Sequence, residues 1–534
     1  MKFKNCLFLM LTLAGVFLCL WIHAQPADST VRDVEYLKYT NAWLSSGHAL
    51  GIHALPTSKV STAEAYAQKS KGRFVNFYES DNHYSAGAKV ESYRKMSPKL
   101  AFQGTMEYET FRGKNMSGSV FIDPGQYPLD IDEYADSTAG DKKLERYHLA
   151  GGVSRKIGER WKIGGKIDYE AANYAKFKDM RHTNKLLQLD GYLGASYAVN
   201  NWLELGVGYG YRRRIESIAF GIYGNTDRQY LSLINFGSFY GNAELHDDFG
   251  YTGDTNPVYD VVHKASAFAN IRLNDQWEWF SEFTYGIRNG YFGKRGTNQI
   301  VFTEHAGTQF DYHGVATLKK DVSRHHFDLK LSYHTLDNRQ NVYRRETTVG
   351  GTSTIVYYGE TKVLDQEITQ VAFNYTAHLK LSGLTPRWIL KAGGNYRNRT
   401  QQVSLYPFYR KQEIGQYSLR GYGGRNFMFG NNLLTVSFEA GYGSGGGTAK
   451  RDGLYATPST SQNPPASGDK YLNKEFEYLT ASRVVNSIGL RYAHQVEPGQ
   501  LAYIRLNYIN THAFQVFYLG KSMNAIQLAL GYSF

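Results

Sequence analysis

Over much of its length the chain alternates apolar and polar residues with a period of two, and few folds accept such a pattern. Trp202-Leu203-Glu204-Leu205-Gly206-Val207-Gly208-Tyr209-Gly210-Tyr211-Arg212 is a clear case. Leu203, Leu205, Val207, Tyr209 and Tyr211 fall on one face; Glu204, the glycines and Arg212 fall on the other. Strand geometry makes that split, and helical geometry would scatter it. The pattern returns in Trp161 to Tyr169, where Ile163, Ile167 and Tyr169 oppose Lys162, Lys166 and Asp168. It returns again in Phe327 to His334 and Val371 to Leu379. Leu434, Val436, Phe438, Ala440 and Tyr442 form another apolar face, as do Ala502, Ile504, Leu506 and Tyr508 against Arg505 and Asn507.

The connections alternate in length. Short ones lie around Pro98, Gly158, Asn200, Asn274, Val322, Gly383, Asn431 and Pro498. Longer polar stretches, 111–142, 217–260, 339–365 and 444–475, separate the same strands at the other end. Short turns at one rim and long loops at the other describe a transmembrane antiparallel β-barrel. The eight turns, with both chain ends on the periplasmic side, imply 18 strands. The first strand, read at 71–80, and the pieces inside 217–260 have the weakest patterns. The expectation is therefore an all-β barrel of about 16–18 strands over residues 71–534, with short periplasmic turns and long extracellular loops. A soluble sandwich also alternates, but Trp161, Tyr169, Trp277, Tyr285, Trp388, Tyr396, Tyr492 and Tyr508 lie near strand ends. Amphipathic rings are favoured there at the two membrane interfaces. The mean hydropathy of −0.46 fits such a barrel, because half of each strand faces a polar lumen.

The chain begins with Lys2 and Lys4, an apolar run from Cys6 to Ile22, and then His23-Ala24-Gln25. This reads as a signal peptide over 1–24. Both cysteines, Cys6 and Cys19, fall inside it, so the mature chain is expected to hold no disulfide and no thiolate metal site. Residues 25–70 read as an N-terminal periplasmic or luminal segment, too short to resemble the large plug of a TonB-dependent transporter. At the other end Ile526, Leu528, Leu530, Tyr532 and Phe534 share a face. A last strand stopping in an aromatic residue resembles the sorting signal of proteins inserted by the outer-membrane assembly machinery. That machinery, outer-membrane lipid and lipopolysaccharide are the expected partners, and the cell outer membrane the expected location. Trp43-Leu44-Ser45-Ser46-Gly47-His48-Ala49-Leu50-Gly51 and the chain length resemble an uncharacterised barrel family of Bacteroidota, found near TonB-dependent receptors. The resemblance implies a TonB-dependent receptor or surface lipoprotein as a candidate partner.

Parity points many charges inward. One set is Lys162, Lys166, Asp168, Glu204 and Arg212; a second is Glu278, Glu282, Asp328, Lys330 and His334. A third comprises Arg387, Lys391, Arg397, Arg420, Glu439, Arg491 and Arg505. Opposite charges on adjacent strands can satisfy one another, and that structural reading is the simpler one. The functional reading is a basic stripe of Arg387, Lys391 and Arg397 on one strand with Arg420 on its neighbour, favouring anions or polar solutes. The acidic segment 111–142, with six acidic residues from Asp123 to Asp141, reads first as a solvated loop, and second as a constriction or cap. Residues 444–475 read as a mobile outer loop.

No Gly-x-Ser-x-Gly elbow, HExxH helix or Walker A loop occurs. No catalytic residue, cofactor or metal is expected. The net charge of +12 is spread along the chain, and export argues against nucleic acid. The expected function is transport, as a pore or as an accessory subunit of an uptake complex with the solute unassigned. The alternatives are a non-transporting barrel that binds a surface protein or ligand, and an outer-membrane hydrolase.

Overall fold

The computed structural model describes residues 34–134, 138–224, 227–247, 249–253, 255–347, 351 and 353–534. The leader read at 1–24 lies outside them.

The strands, in chain order, are β1 (Lys59–Gly72), β2 (Asn82–Ser97), β3 (Leu100–Met116), β4 (Asp130–Glu133), β5 (Gly140–Ile157), β6 (Trp161–Lys176) and β7 (Arg181–Ala198). Then come β8 (Leu203–Gly221), β9 (Leu231–Asn235), β10 (Tyr240–Leu245), β11 (Asn256–Arg272), β12 (Trp277–Gly293), β13 (Val301–Lys320) and β14 (Ser323–Thr347). The remainder are β15 (Ser353–Ser382), β16 (Thr385–Leu405), β17 (Phe408–Phe429), β18 (Asn432–Leu454), β19 (Ala466–Ser467), β20 (Arg483–Glu497), β21 (Gln500–Ala513) and β22 (Ser522–Ser533). Eighteen of them form one antiparallel sheet, each pairing with the next barrel strand. β1 pairs with both β2 and β22, so the sheet closes and leaves no edge in hydrocarbon. The eight short turns lie where the sequence placed them, all on the side of both chain ends.

The alternation decides which face meets lipid. Val207, Phe438, Ile504 and Leu528 are 64%, 52%, 43% and 43% exposed, although they sit in mid-strand. Leu331, Phe373 and Val436 share that outward exposure, as do the rings of Trp161, Tyr285, Tyr396 and Tyr492. Their neighbours in sequence point into the barrel, where Glu204, Glu278 and Asn270 are buried. A closed sheet that is apolar outside and polar within belongs in the outer membrane.

Four expectations are corrected. The first strand is Lys59–Gly72, and residues 73–81 are a loop, so the barrel starts at 59 instead of 71. Residues 339–365 are largely strand: β14 and β15 run 25 and 30 residues, well past the membrane. The outer loop expected at 444–475 continues as β18 to Leu454, then folds into β19 and a helix, Asp469–Thr480. The acidic segment is not a solvated loop but folds into the barrel, as described next.

Candidate functional site: a lumen occupied at both ends

At the periplasmic end the chain's own N-terminal segment is seated inside the lumen. It comprises two short helices, Val34–Lys38 and Ala42–Ser45, and a 3₁₀ turn, Ala49–Ala54. Asn41 caps the second helix by accepting from the Trp43 and Leu44 amides. Trp43 then packs against Phe280, ring centroids 5.9 Å apart and nearly parallel, and against Phe268. Ala42, Trp43, Leu50, Phe268, Phe280 and Val315 form one buried cluster, joining segment to wall. Polar anchors surround it. Asn41 donates to Glu278 at 2.6 Å, Lys38 pairs with Glu91 at 2.6 Å, and Lys162 lies 4.5 Å over the Trp43 ring. Lys162 also pairs with Glu204 at 2.7 Å, so this wall charge is spent on the plug's seat.

The glycine face of β8 makes that seat. A Cβ on Gly206 would lie 2.2 Å from the Phe268 ring, and one on Gly208 only 2.0 Å from the Tyr192 hydroxyl. Missing side chains on β8 thus let two aromatic residues lean inward, where both meet His48. Burial holds the His48 pKa down to about 4, so the ring is neutral.

The outer end is occupied by inserted loops. Strands β4, β9, β10 and β19 form a second sheet in the order β19-β10-β9-β4. Phe121, Tyr127, Ile131, Ile234 and Phe236 from these inserts pack on wall residues Val258, Phe292, Leu364 and Val403 in one cluster. The acidic residues explain the docking. Asp123 pairs with Arg146 at 2.8 Å and Arg214 at 2.5 Å. Glu133 meets the fully buried Lys142 and Lys176. Asp132 accepts from Asn235 at 2.8 Å, but its other oxygen has no partner among the described residues, and burial raises its pKa. The Asp469–Thr480 helix adds a further clamp, Glu475 to Arg399 at 3.0 Å. Sequence reading missed these anchors, although inward parity on β5, β6 and β8 already marked Lys142, Arg146, Lys176 and Arg214. The basic run Arg212–Arg214 is largely neutralised: Arg212 pairs with Asp190 at 2.6 Å and Arg214 with Asp123.

Between the closures lies the basic stripe. β16 and β17 form a hairpin in which Gly393 faces Arg420 and Lys391 faces Tyr422. Lys391 and Arg420 are therefore neighbours; Arg387 lies toward the periplasmic turn. Lys391 sits 5.2 Å over the Tyr422 ring, and Arg420 donates to Asn374 at 2.7 Å. Among the described residues, no carboxylate forms an ion pair with Arg387, Lys391 or Arg420. Arg397 differs: it is covered toward the outer cap, and its Nε has no partner among the described residues. Glu439 faces Tyr422, one strand beyond Lys391. The histidines of β13, His305 and His313, are wall residues paired with Asp260 and Asp328 at 3.0 Å each. Among the described residues no group of three such side chains is placed to hold a metal ion.

The family described as a family of unknown function (DUF6850) matches residues 49–534. No curated protein matches the chain. Similar solved structures include BauA, the ferric preacinetobactin receptor from Acinetobacter baumannii, at 10% identity and TM-score 0.35, covering 88% of this chain and 80% of that one. The open form of the ferric-catecholate import receptor Fiu from E. coli K12 gives 8% identity and TM-score 0.38, with 89% and 81% covered. A TodX mutant, a monoaromatic hydrocarbon channel, gives 9% identity and TM-score 0.31, with 92% of each chain covered. Likeness this distant carries no argument about function, and the fold rests on the strand pairing itself.

Proposed function

Because the chain belongs to the family DUF6850, whose function is unknown, we propose its role from its own geometry: a gated outer-membrane barrel in transport. The observation that carries this reading is the N-terminal segment seated inside the lumen beside an unpaired basic stripe. A purely structural filling would leave no reason for Arg387, Lys391 and Arg420 to stand without carboxylates. Release of the small plug and rearrangement of the outer inserts would join the stripe to both compartments. The solute preferred by such a path is anionic or polar.

A second reading is favoured by the occupation of both ends. A barrel occupied at both ends by its own chain suits an accessory subunit that acts only with a partner, and the resemblance to barrels found near TonB-dependent receptors supports a receptor or surface lipoprotein in that role.

Planar-bilayer recording separates the two. The wild-type protein should be mostly closed. Replacing Trp43 and His48 together by Ala should produce frequent openings, since a buried Trp→Ala change removes roughly 3–5 kcal/mol of packing. A folded double variant that stays closed, from a wild type that co-purifies with a receptor, would count for the accessory role and against the gated pore.

A further inference from the structure

The outer wall carries a site that neither closure uses. Above the lipid belt, β15 to β18 continue into water, and their outward face changes character. Tyr396 and Tyr417 face each other across β16 and β17, and the Tyr442 ring lies 6.3 Å from Tyr417. These exposed rings mark the outer interface. Four residues beyond Tyr396, roughly 10 Å higher for a tilted strand, a cleft of about 350 Å³ opens at Thr400. Asp365, Glu367, Gln402, Lys411, Glu413 and Arg451 line it. All are outward by parity, and Lys411, Glu413 and Arg451 form no ion pair among the described residues. The cleft thus combines carboxylates that accept hydrogen bonds with the Lys411 ammonium and the Arg451 guanidinium, which donate them.

An aromatic shelf bounds its upper end. Tyr406 and Tyr455 are 66% and 52% exposed, and their rings are parallel within 10° at 6.5 Å. Tyr409 lies 4.9 Å from Tyr455. The shelf is rigid for stated reasons. The Tyr455 amide donates to the Pro407 carbonyl at 2.8 Å, and its hydroxyl bonds Ser404 at 2.9 Å and the Gln402 amide. Tyr409 lies flat on Gly453 of the paired strand, where a Cβ would come within 2.4 Å of the ring. Rings held in place before binding lose little entropy when a ligand stacks on them.

We propose that this cleft and shelf bind an oligosaccharide, namely the sugar chain of lipopolysaccharide in the surrounding outer leaflet. Pyranose rings present an apolar C–H face, which stacks on exposed tyrosine, and vicinal hydroxyls at the rim, which pair with planar acid, amide and guanidinium groups. Lys411 and Arg451 suit the acidic and phosphate substituents of such sugars. The position selects the source. The cleft opens sideways from the wall, just above the lipid belt, where glycolipid sugars already stand; a solute bound for the lumen would be met at the cap instead. The assignment does not depend on whether the lumen conducts.

The test uses purified full-length protein in detergent and a delipidated lipopolysaccharide core oligosaccharide, with titration followed by calorimetry. Saturable binding is expected, weakened at least tenfold by Tyr406→Ala with Tyr455→Ala and by Gln402→Ala with Glu413→Ala. Both pairs stand in water above the barrel, and retention of heat-modifiable gel mobility verifies their fold. Absence of wild-type binding at millimolar sugar overturns the proposal. So does equal binding by the folded tyrosine variant. A free glucan bound as tightly as the core oligosaccharide would overturn the assignment to the outer-leaflet glycolipid.

Discussion

His48 Nε2 lies 2.6 Å from the Tyr192 hydroxyl, and this bond ties the N-terminal plug to the wall of β7. The Leu50 amide donates to His48 Nδ1 at 3.2 Å, so the neutral ring carries its proton on Nε2 and donates to tyrosine. Protonation would remove the acceptor that holds Leu50 and place a charge in an aromatic pocket.

The plug should therefore loosen in acid. Burial lowers the His48 pKa from 6.5 to about 4, so the released segment binds more protons than the seated one between those values. Seating is weakened as pH falls through that window, by up to ~1.4 kcal/mol per unit. Bilayer openings should rise between pH 7 and pH 4.5 and rise less in His48→Gln. Equal pH dependence in both proteins would remove His48 from the gate.

Gly208 should tolerate no side chain without cost. Gly208→Ala places a methyl 2.0 Å from the Tyr192 hydroxyl, displacing the ring from His48. Folded protein should form in normal yield, because β8 remains a strand, but its resting leak current should exceed wild type several-fold. An unchanged leak would mean that Tyr192 does not hold the plug.

The outer cap should respond to pH in the opposite sense. Burial raises the Asp132 pKa above the ordinary carboxylate value of about 3.9. A raised pKa gives stability that is complete below the unfolded value and lost as pH rises through the folded one. Chymotryptic cutting at Phe121 and Tyr127 should be several-fold faster in wild type than in Asp132→Asn at pH 8.5. The two rates should draw closer as the pH falls toward 5. The ratio cancels the protease's own pH profile, and a constant ratio would contradict the assignment.

In a variant opened by loss of Trp43, reversal potentials in a salt gradient should show anion preference. The preference should weaken as salt rises toward 0.15 M and beyond, where the screening length is about 8 Å. Lys391→Glu should reduce or abolish it. Cation preference in the pore that retains Lys391 would end the case for the stripe.

Phe534→Asp should impair assembly more than it impairs the finished barrel. Phe534 exchanges both backbone hydrogen bonds with Ser61, at 2.9 and 2.8 Å, and its ring lies 5.3 Å from the Lys59 ammonium. It thus sits where β1 meets β22, near the interface, where a charge costs about 0–1 kcal/mol directly. Loss of most heat-modifiable protein is the expected result, and an unchanged folded yield would contradict it.

The sequence by itself determined the wall. Period two across Trp202–Arg212 or Ala502–Tyr508 assigns every side chain to lipid or lumen, because a strand offers only two faces and the bilayer makes them unlike. The eight turns gave the strand number, and parity sent Lys391 and Arg420 inward. The sequence was silent wherever both faces meet the same medium. The tops of β14 and β15 are wet on both sides, so no alternation betrayed them as strand. β1 carries Ala63, Ala65 and Ala67 in place of large apolar residues and read as part of the N-terminal periplasmic or luminal segment. Only the tertiary structure decided what fills the lumen, since nothing local in Trp43-Leu44-Ser45 or Asp130-Ile131-Asp132 says which wall it meets. Phe280 and Phe268 come from strands more than 200 residues away from Trp43, and Asp123 finds Arg214 from a distant strand. Closing the sheet brings these groups into one enclosed volume. There, desolvated rings and unpaired charges must find one another, and the partners are set by the geometry of closure and not by spacing along the chain.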